Sequence, residues 1–227
     1  MNNLILAGDS IFDNESYVQH GQPAVIDQLN DILDDESKAT LIAIDGDVSS
    51  GVQYQLEKLP DDATHIFISV GGNDALHKLH KLTQPVRSIG EGFLDFYDVR
   101  KSFEQSYTAM LTNALSYGLP TTVCSIYHPC FDTNQLDRVS GFLPSGVDNS
   151  TLQKTAVTAL SIFNDIIFQE AVKNRVPIID LRLIFSENSD YANPIEPSAS
   201  GGAKMVKRIK NIFVAHDFAS RRSTVYN

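Results

Sequence analysis

Four short stretches hold side chains able to do chemistry, and three of them directly follow an apolar run. "NLILAGDSIFDN" leads into Asp9 and Ser10, "TLIAIDGDVSSG" carries Gly46, "HIFISVGGNDAL" carries Asn73 and Asp74, and "NPIEPSASGG" carries Glu196. A serine hydroxyl is a weak nucleophile until an adjacent base takes its proton. Glutamate, with an ordinary pKa near ~4.3, becomes such a base when burial raises it towards neutrality. Amides at a turn, and the side-chain amide of an asparagine, can donate hydrogen bonds to an oxyanion beside that serine. Each stretch also has a plainer reading. Asp9 and Ser10 suit the cap of a following helix, "GGND" suits a turn, and Asp74 reads as helix capping or site architecture.

These residues need a frame that brings strand ends together. Apolar runs at Asn3 to Ala7, Thr40 to Ile44, His65 to Val70, Thr121 to Ile126 and Pro177 to Leu181 read as strands. They lack clean alternation, as expected of strands covered by helices on both faces. Helical patterns lie between them at Ala24 to Glu36, Ser102 to Tyr117 and Ser150 to Asn174, and Gly201 to Ala215 closes the sheet. The alternation predicts a single three-layer α/β/α domain over residues 1–227, with a mostly parallel five-stranded sheet. Loops after strand C-termini line the ligand crevice of such a sheet. Leu76 to Arg100 and Phe131 to Asn149, rich in polar residues, Gly and Pro, read as excursions at that edge: walls or lids of a site, or plain surface.

Composition narrows the partners. The chain of 227 residues carries 18 basic against 28 acidic residues, a formal charge of −10, which argues against nucleic acid or an anionic membrane. The basic run Lys204 to Lys210 reads as the solvated face of the last helix. No apolar stretch approaches a membrane span or a signal sequence, so a cytoplasmic protein is expected. Cys124 and Cys130 are too few for a disulfide framework and read as free thiols. His77 and His80 stand three apart and can share a helix face, but two histidines do not make a metal site. Neither metal nor cofactor is expected. No G-x-G-x-x-G follows the first strand, which counts against a nucleotide- or flavin-binding module.

Taken together, "GDS" at Gly8 to Ser10, the glycine at Gly46 and "GGND" at Gly71 to Asp74 resemble the successive motifs of the SGNH hydrolases, the GDSL-like lipase and esterase family, over essentially the whole chain. The resemblance implies a flavodoxin-like sheet with Ser10 as nucleophile. It also implies an oxyanion hole made by the Ser10 and Gly46 backbone amides and the Asn73 side chain. The substrate would be a small-molecule carboxylic ester.

The last motif departs from the family. Its Asp-x-x-His is replaced in "NPIEPSASGG" by Asn193 and Glu196, while Pro197, Ser198 and Gly201 keep the downstream match. A second register in "DYANP" would put Asp190 and Asn193 in those positions but loses that match. Beside a carboxylate base an aspartate would add like charge, whereas Asn193 can donate a hydrogen bond to Glu196. Glu196 is thus the expected base and Asn193 its orienter. His128, after the fourth strand, is a rival base with the better ordinary pKa. Loss of catalysis would leave a fold that holds a small anionic or sugar ligand on the same donors. With no Trp and no strongly apolar lid, a short acyl or acetylated-sugar ester is preferred to a long-chain lipid.

Overall fold

The computed structural model describes residues 1–131, 146–220 and 222–227. Six parallel strands form the main sheet in the order β2-β1-β3-β4-β5-β8. They are β1 (Asn2–Gly8), β2 (Ser37–Leu41), β3 (His65–Ser69), β4 (Thr121–Cys124), β5 (Ile178–Ile179) and β8 (Val225–Tyr226). Five strands were expected; the sixth is a two-residue pairing of the C-terminus with β5, too short to signal itself in the sequence.

The lack of alternation has the expected cause. Ile5 and Ala7 of β1 join a core with Val52 and Leu56 of α2 (Val52–Leu56), Phe103 of α4 (Ile89–Ser116) and Phe163 of α5 (Asn149–Asn174). Leu4 and Leu6 face the other way, against Val25 and Leu29 of α1 (Val25–Ile32), Leu181 of α6 (Leu181–Ile184) and Met205 of α7 (Ala199–Ala215). Sheet and helices therefore stack in three layers.

Two elements differ from the sequence reading. Strand β2 ends at Leu41 because the Ile42 and Ala43 amides both reach the Leu6 carbonyl, which breaks the ladder. Most of Leu76 to Arg100 is helical. After the short α3 (Gly72–Leu76) and a 3-10 turn (Leu79–Thr83), Ser88 caps α4 by accepting from the Glu91 amide at 3.1 Å. Gly90 and Gly92, with Ile89, Phe93, Leu94 and Tyr97 all left exposed, blur the amphipathic pattern of those first turns. The other expected excursion, Phe131 to Asn149, lies largely outside the described residues, but its end opens α5, where Asp148 caps the helix.

A small antiparallel ribbon, absent from the sequence reading, joins β6 (Tyr191–Asn193) to β7 (Glu196–Pro197) just before α7. Among the described residues, no helix is long and apolar enough to cross a membrane.

Candidate active site

The chain leaves β1 towards β2 on one side of the sheet and reaches β3 on the other, so a crevice opens beyond the strand ends between β1 and β3. Ser10 follows β1 and Asn73 follows β3. Only glycine fits at position 8: its φ is +129°, and a Cβ there would lie 1.8 Å from the Ser69 carbonyl oxygen of β3. The buried Gln55 of α2 clamps the same residue, donating to the Gly8 carbonyl at 2.7 Å and accepting from its amide at 2.8 Å. Gln55 also donates to Asp47 at 2.7 Å, which ties the loop holding Gly46 to the end of β1.

Ser10 does not open a helix as the sequence suggested. The Phe12 and Asp13 amides both return to the Asp9 carbonyl in a single turn, and Asn14 then leaves to accept from Val25 at the start of α1 at 2.8 Å. The capping reading of Asp9 and Ser10 therefore falls. The Asp9 carboxyl accepts from the Ile11 amide at 3.2 Å within that turn.

Ser10, Asn73 and Glu196 line one cleft of about 100 Å³. Its other walls are mainly apolar, from Ala75 and Leu76 in α3 to Phe163 in α5. Ser10 and the Glu196 carboxyl both face this cleft, close enough for the hydroxyl to act on the pKa of the carboxyl. Glu196 is only 6% exposed, and its second oxygen, Oε2, is buried without a hydrogen-bond partner. Burial pushes its pKa up to about 8, the nearby Ser10 hydroxyl opposes the rise, and the charges of Asp9 and Asp45 add to it. Asp9 also lines the cleft and is likewise pushed up to about 8 by burial. Burial raises Asp74 too, although Asp74 accepts from both the amide and hydroxyl of Ser49 at 2.9 Å. A hydroxyl beside a carboxyl titrating near neutrality is a pair able to pass a proton.

Asn193 is placed differently from expectation. Its Oδ1 accepts the Ile195 amide at 3.0 Å and the Glu196 amide at 3.1 Å, so it fixes the ribbon's backbone; no hydrogen bond joins its side chain to the Glu196 carboxyl among the described residues. Asp190, the residue of the alternative register, is fully buried under Lys204 at 2.7 Å and the Ser186 and Glu187 amides. Neither Asp190 nor Asn193 lines the cleft, whereas Glu196 does. The downstream frame also has a structural reason: a Cβ at Gly201 would lie 2.3 Å from the Asp190 carbonyl, and Ser198 caps α7.

Asn73 donates to the Asp47 carbonyl at 2.9 Å, next to Gly46. Gly46 itself is exposed at a turn with φ +81° and is not part of the cleft wall. His128 is half-buried and outside the cleft, where burial and the Arg182 charge lower its pKa and Asp180 opposes them. His77 and His80 are both exposed, one ending α3 and the other in the 3-10 turn, so they do not share one helix. Among the described residues no three His, Cys, Asp or Glu side chains are grouped as metal ligands.

Several positioning residues gave no sequence signal. Tyr127 donates to the Ile195 carbonyl at 2.6 Å, Tyr191 to the His128 carbonyl at 2.7 Å, and the Cys130 amide to the Pro194 carbonyl at 2.8 Å. These bonds clasp the ribbon carrying Glu196 to the segment after β4. Stacking of Tyr127 on Phe185 at 4.3 Å supports the clasp from beneath.

Serine, asparagine and a buried carboxyl thus meet in a cleft at the switch point of a parallel α/β domain. No protein-family model matches the sequence, and no curated protein matches it. Solved structures do. The esterase EstA from Pseudoalteromonas sp., in a form inhibited by monoethylphosphonate, superposes with a TM-score of 0.59 at 15% identity, over 95% of this chain and 100% of that one. Phospholipase A1 from Streptomyces albidoflavus gives 0.60 at 14% identity, over 92% and 98% of the two chains. A GDSL-like lipase from Bacteroides thetaiotaomicron gives 0.58 at 12% identity, over 93% and 87%. The chain has the flavodoxin-like fold of the SGNH, or GDSL-like, hydrolases.

Proposed function

We propose that the protein is a serine ester hydrolase that uses Glu196 in place of the usual histidine. The observation that carries this reading is that Ser10 and the buried Glu196 carboxyl line one cleft, where burial pushes the Glu196 pKa up to about 8. Ser10 Oγ forms the bond to the ester carbonyl carbon while its proton passes to Glu196. The Ser10 amide and the Asn73 side chain, which line the cleft, receive the oxyanion; Gly46, outside the cleft wall, is not assigned to it. Glu196 returns the proton to the leaving alcohol as the carbonyl–oxygen bond breaks. A water then attacks the acyl-Ser10 carbonyl carbon, giving its proton to Glu196, and Glu196 passes that proton to Ser10 Oγ as the acyl–oxygen bond breaks and the acid leaves.

The elevated pKa favours this assignment. An ordinary glutamate would be about two units too acidic to match an imidazole. Burial removes that deficit, and Asn193 holds the Glu196 backbone without adding charge. The alternative of a non-catalytic site for a small anion fits less well, because Asp9, Asp45, Asp74 and Glu196 all make the neighbourhood acidic. His128, outside the cleft, is not assigned as base.

Hydrolysis of a p-nitrophenyl ester by wild type, Ser10→Ala, Glu196→Gln and His128→Ala tests the proposal. Activity is expected to vanish with Ser10→Ala, to fall at least about a hundredfold with Glu196→Gln, and to survive His128→Ala. Loss confined to His128→Ala would move the base elsewhere.

A further inference from the structure

The first turns of α4 carry large apolar side chains on two opposite faces. Phe96 lines the cleft and Val99 is buried in the core. Ile89, Phe93, Leu94 and Tyr97 point away from both, and are 80%, 69%, 69% and 59% exposed. Ile89, Phe93 and Tyr97 succeed one another at four-residue steps, so they form one stripe along the helix, and Leu94 widens it on one flank. A helix that is apolar on both faces is favourable only when both are covered. The stripe exposes on the order of 500 Å², the upper end of what a soluble monomer leaves open.

The charges beside the stripe are self-complementary. Glu91 holds the Arg87 guanidinium at 2.8 Å, and at 3.6 residues per turn Glu91 and Asp98 fall on the Leu94 flank. Arg87 therefore stands at one end of that flank and exposed Asp98 at the other, with Phe93 midway between them. A two-fold axis through Phe93 sets this side chain against its own counterpart. Ile89 then meets Tyr97 of a second copy, and Arg87 comes opposite Asp98. Parallel packing would instead set Arg87 beside Arg87 and Asp98 beside Asp98. A membrane surface suits the flanks less well, because helices that lie on one carry Lys and Arg there, whereas Glu91, Asp95 and Asp98 outnumber Arg87 along these turns and the chain has a formal charge of −10.

We propose that this stripe is the interface of a reversible homodimer, in which the first turns of two α4 helices pack antiparallel about Phe93. Two such stripes bury about 1,000 Å² before the rim is counted, the lower edge of specific interfaces, so dissociation in the micromolar range is expected. The pairing is independent of the chemistry at Ser10. It backs the cleft wall, since Phe96 lies on the inner face of the same turns.

Sedimentation equilibrium of the full chain, from about 1 to about 200 µM, tests the proposal. Wild type should pass from monomer to dimer mass across that range. Phe93→Glu places two like charges on the axis and should weaken the dimer at least about tenfold, whereas Glu at Val172, exposed on α5, should not. Asp98→Lys and Arg87→Glu each set like charges opposite one another twice, so each alone should be monomeric. Mixed in equal amounts the two variants should associate, because the mixed pair meets opposite charges at both ends. Damage to the fold cannot produce that recovery.

A wild type that stays monomeric throughout, or a dimer indifferent to Phe93→Glu, would overturn the proposal. Failure of the two charge variants to associate when mixed would overturn the antiparallel arrangement. Phe93-dependent capture of the monomer by phosphatidylcholine vesicles, in place of self-association, would overturn it in favour of a lipid surface.

Discussion

The Asn193 side-chain oxygen accepts the backbone amide of Glu196 at 3.1 Å and that of Ile195 at 3.0 Å. The Asn193 side chain thereby shapes the turn that presents the Glu196 carboxyl. Asn193→Ala should leave two amides without their acceptor, costing about 1–3 kcal/mol of stability. A thermal melt together with kcat checks this. The variant should melt lower and turn over several-fold more slowly, with the pH limb of activity unmoved.

Charge near Glu196 should move that limb in predictable directions. The Asp9 charge raises the Glu196 pKa, so Asp9→Asn should shift the acid limb of kcat/KM to lower pH. Asn193→Asp adds a negative charge beside Glu196 and should shift the limb upward. Profiles of kcat/KM against pH, recorded for both variants and wild type, provide the comparison; shifts in the same direction would contradict the assignment.

Stability should carry the same signature. Glu196 rises from an ordinary 4.5, and Asp9 from 3.8, each to about 8 in the folded chain. The folded state then binds more protons than the unfolded state between those values. Stability is therefore greatest below about pH 4 as far as these two groups are concerned, and is lost as pH rises through about 8. Between pH 5 and 9 the Tm of Glu196→Gln should fall less than that of wild type, by about 5 °C or more. Calorimetric scans of the two proteins across that range measure the difference.

Gly8→Ala is the severest single change expected at the site's base. The added carbon meets the Ser69 carbonyl and the backbone is left in a strained φ, so a loss above about 3 kcal/mol is expected. Soluble yield and urea unfolding would show it. A variant as stable as wild type would mean that β1 and β3 part more easily than their packing indicates.

How much of this was legible beforehand varies by residue. The fully buried run Leu4 to Ala7 and the glycines at strand ends announced a two-sided parallel sheet, because burial on both faces removes alternation and close turns exclude a Cβ. The cleft gathers Ser10, Asn73 and Glu196, which the sequence places just after Asp9, beside Gly72 and beside Pro197 near element boundaries. What Asn193 does was not legible, since either end of its amide suits a loop and only the fold decides. Gln55, Tyr127 and Tyr191 were missed because their partners are backbone atoms distant in sequence. The first turns of α4 were missed because their large apolar residues face outward, contrary to the pattern that marks a helix.

The pairing of Ser10 with Glu196 is tested most directly by the rate at which an organophosphonate modifies Ser10, followed by intact mass from pH 5 to 10, since this needs no knowledge of the substrate. Wild type should label at Ser10 alone, its rate rising about tenfold per pH unit and levelling near pH 8, while Glu196→Gln should react at least about a hundredfold more slowly with no such limb. Equal labelling of wild type and Glu196→Gln, or no labelling of Ser10 at any pH, would contradict the account.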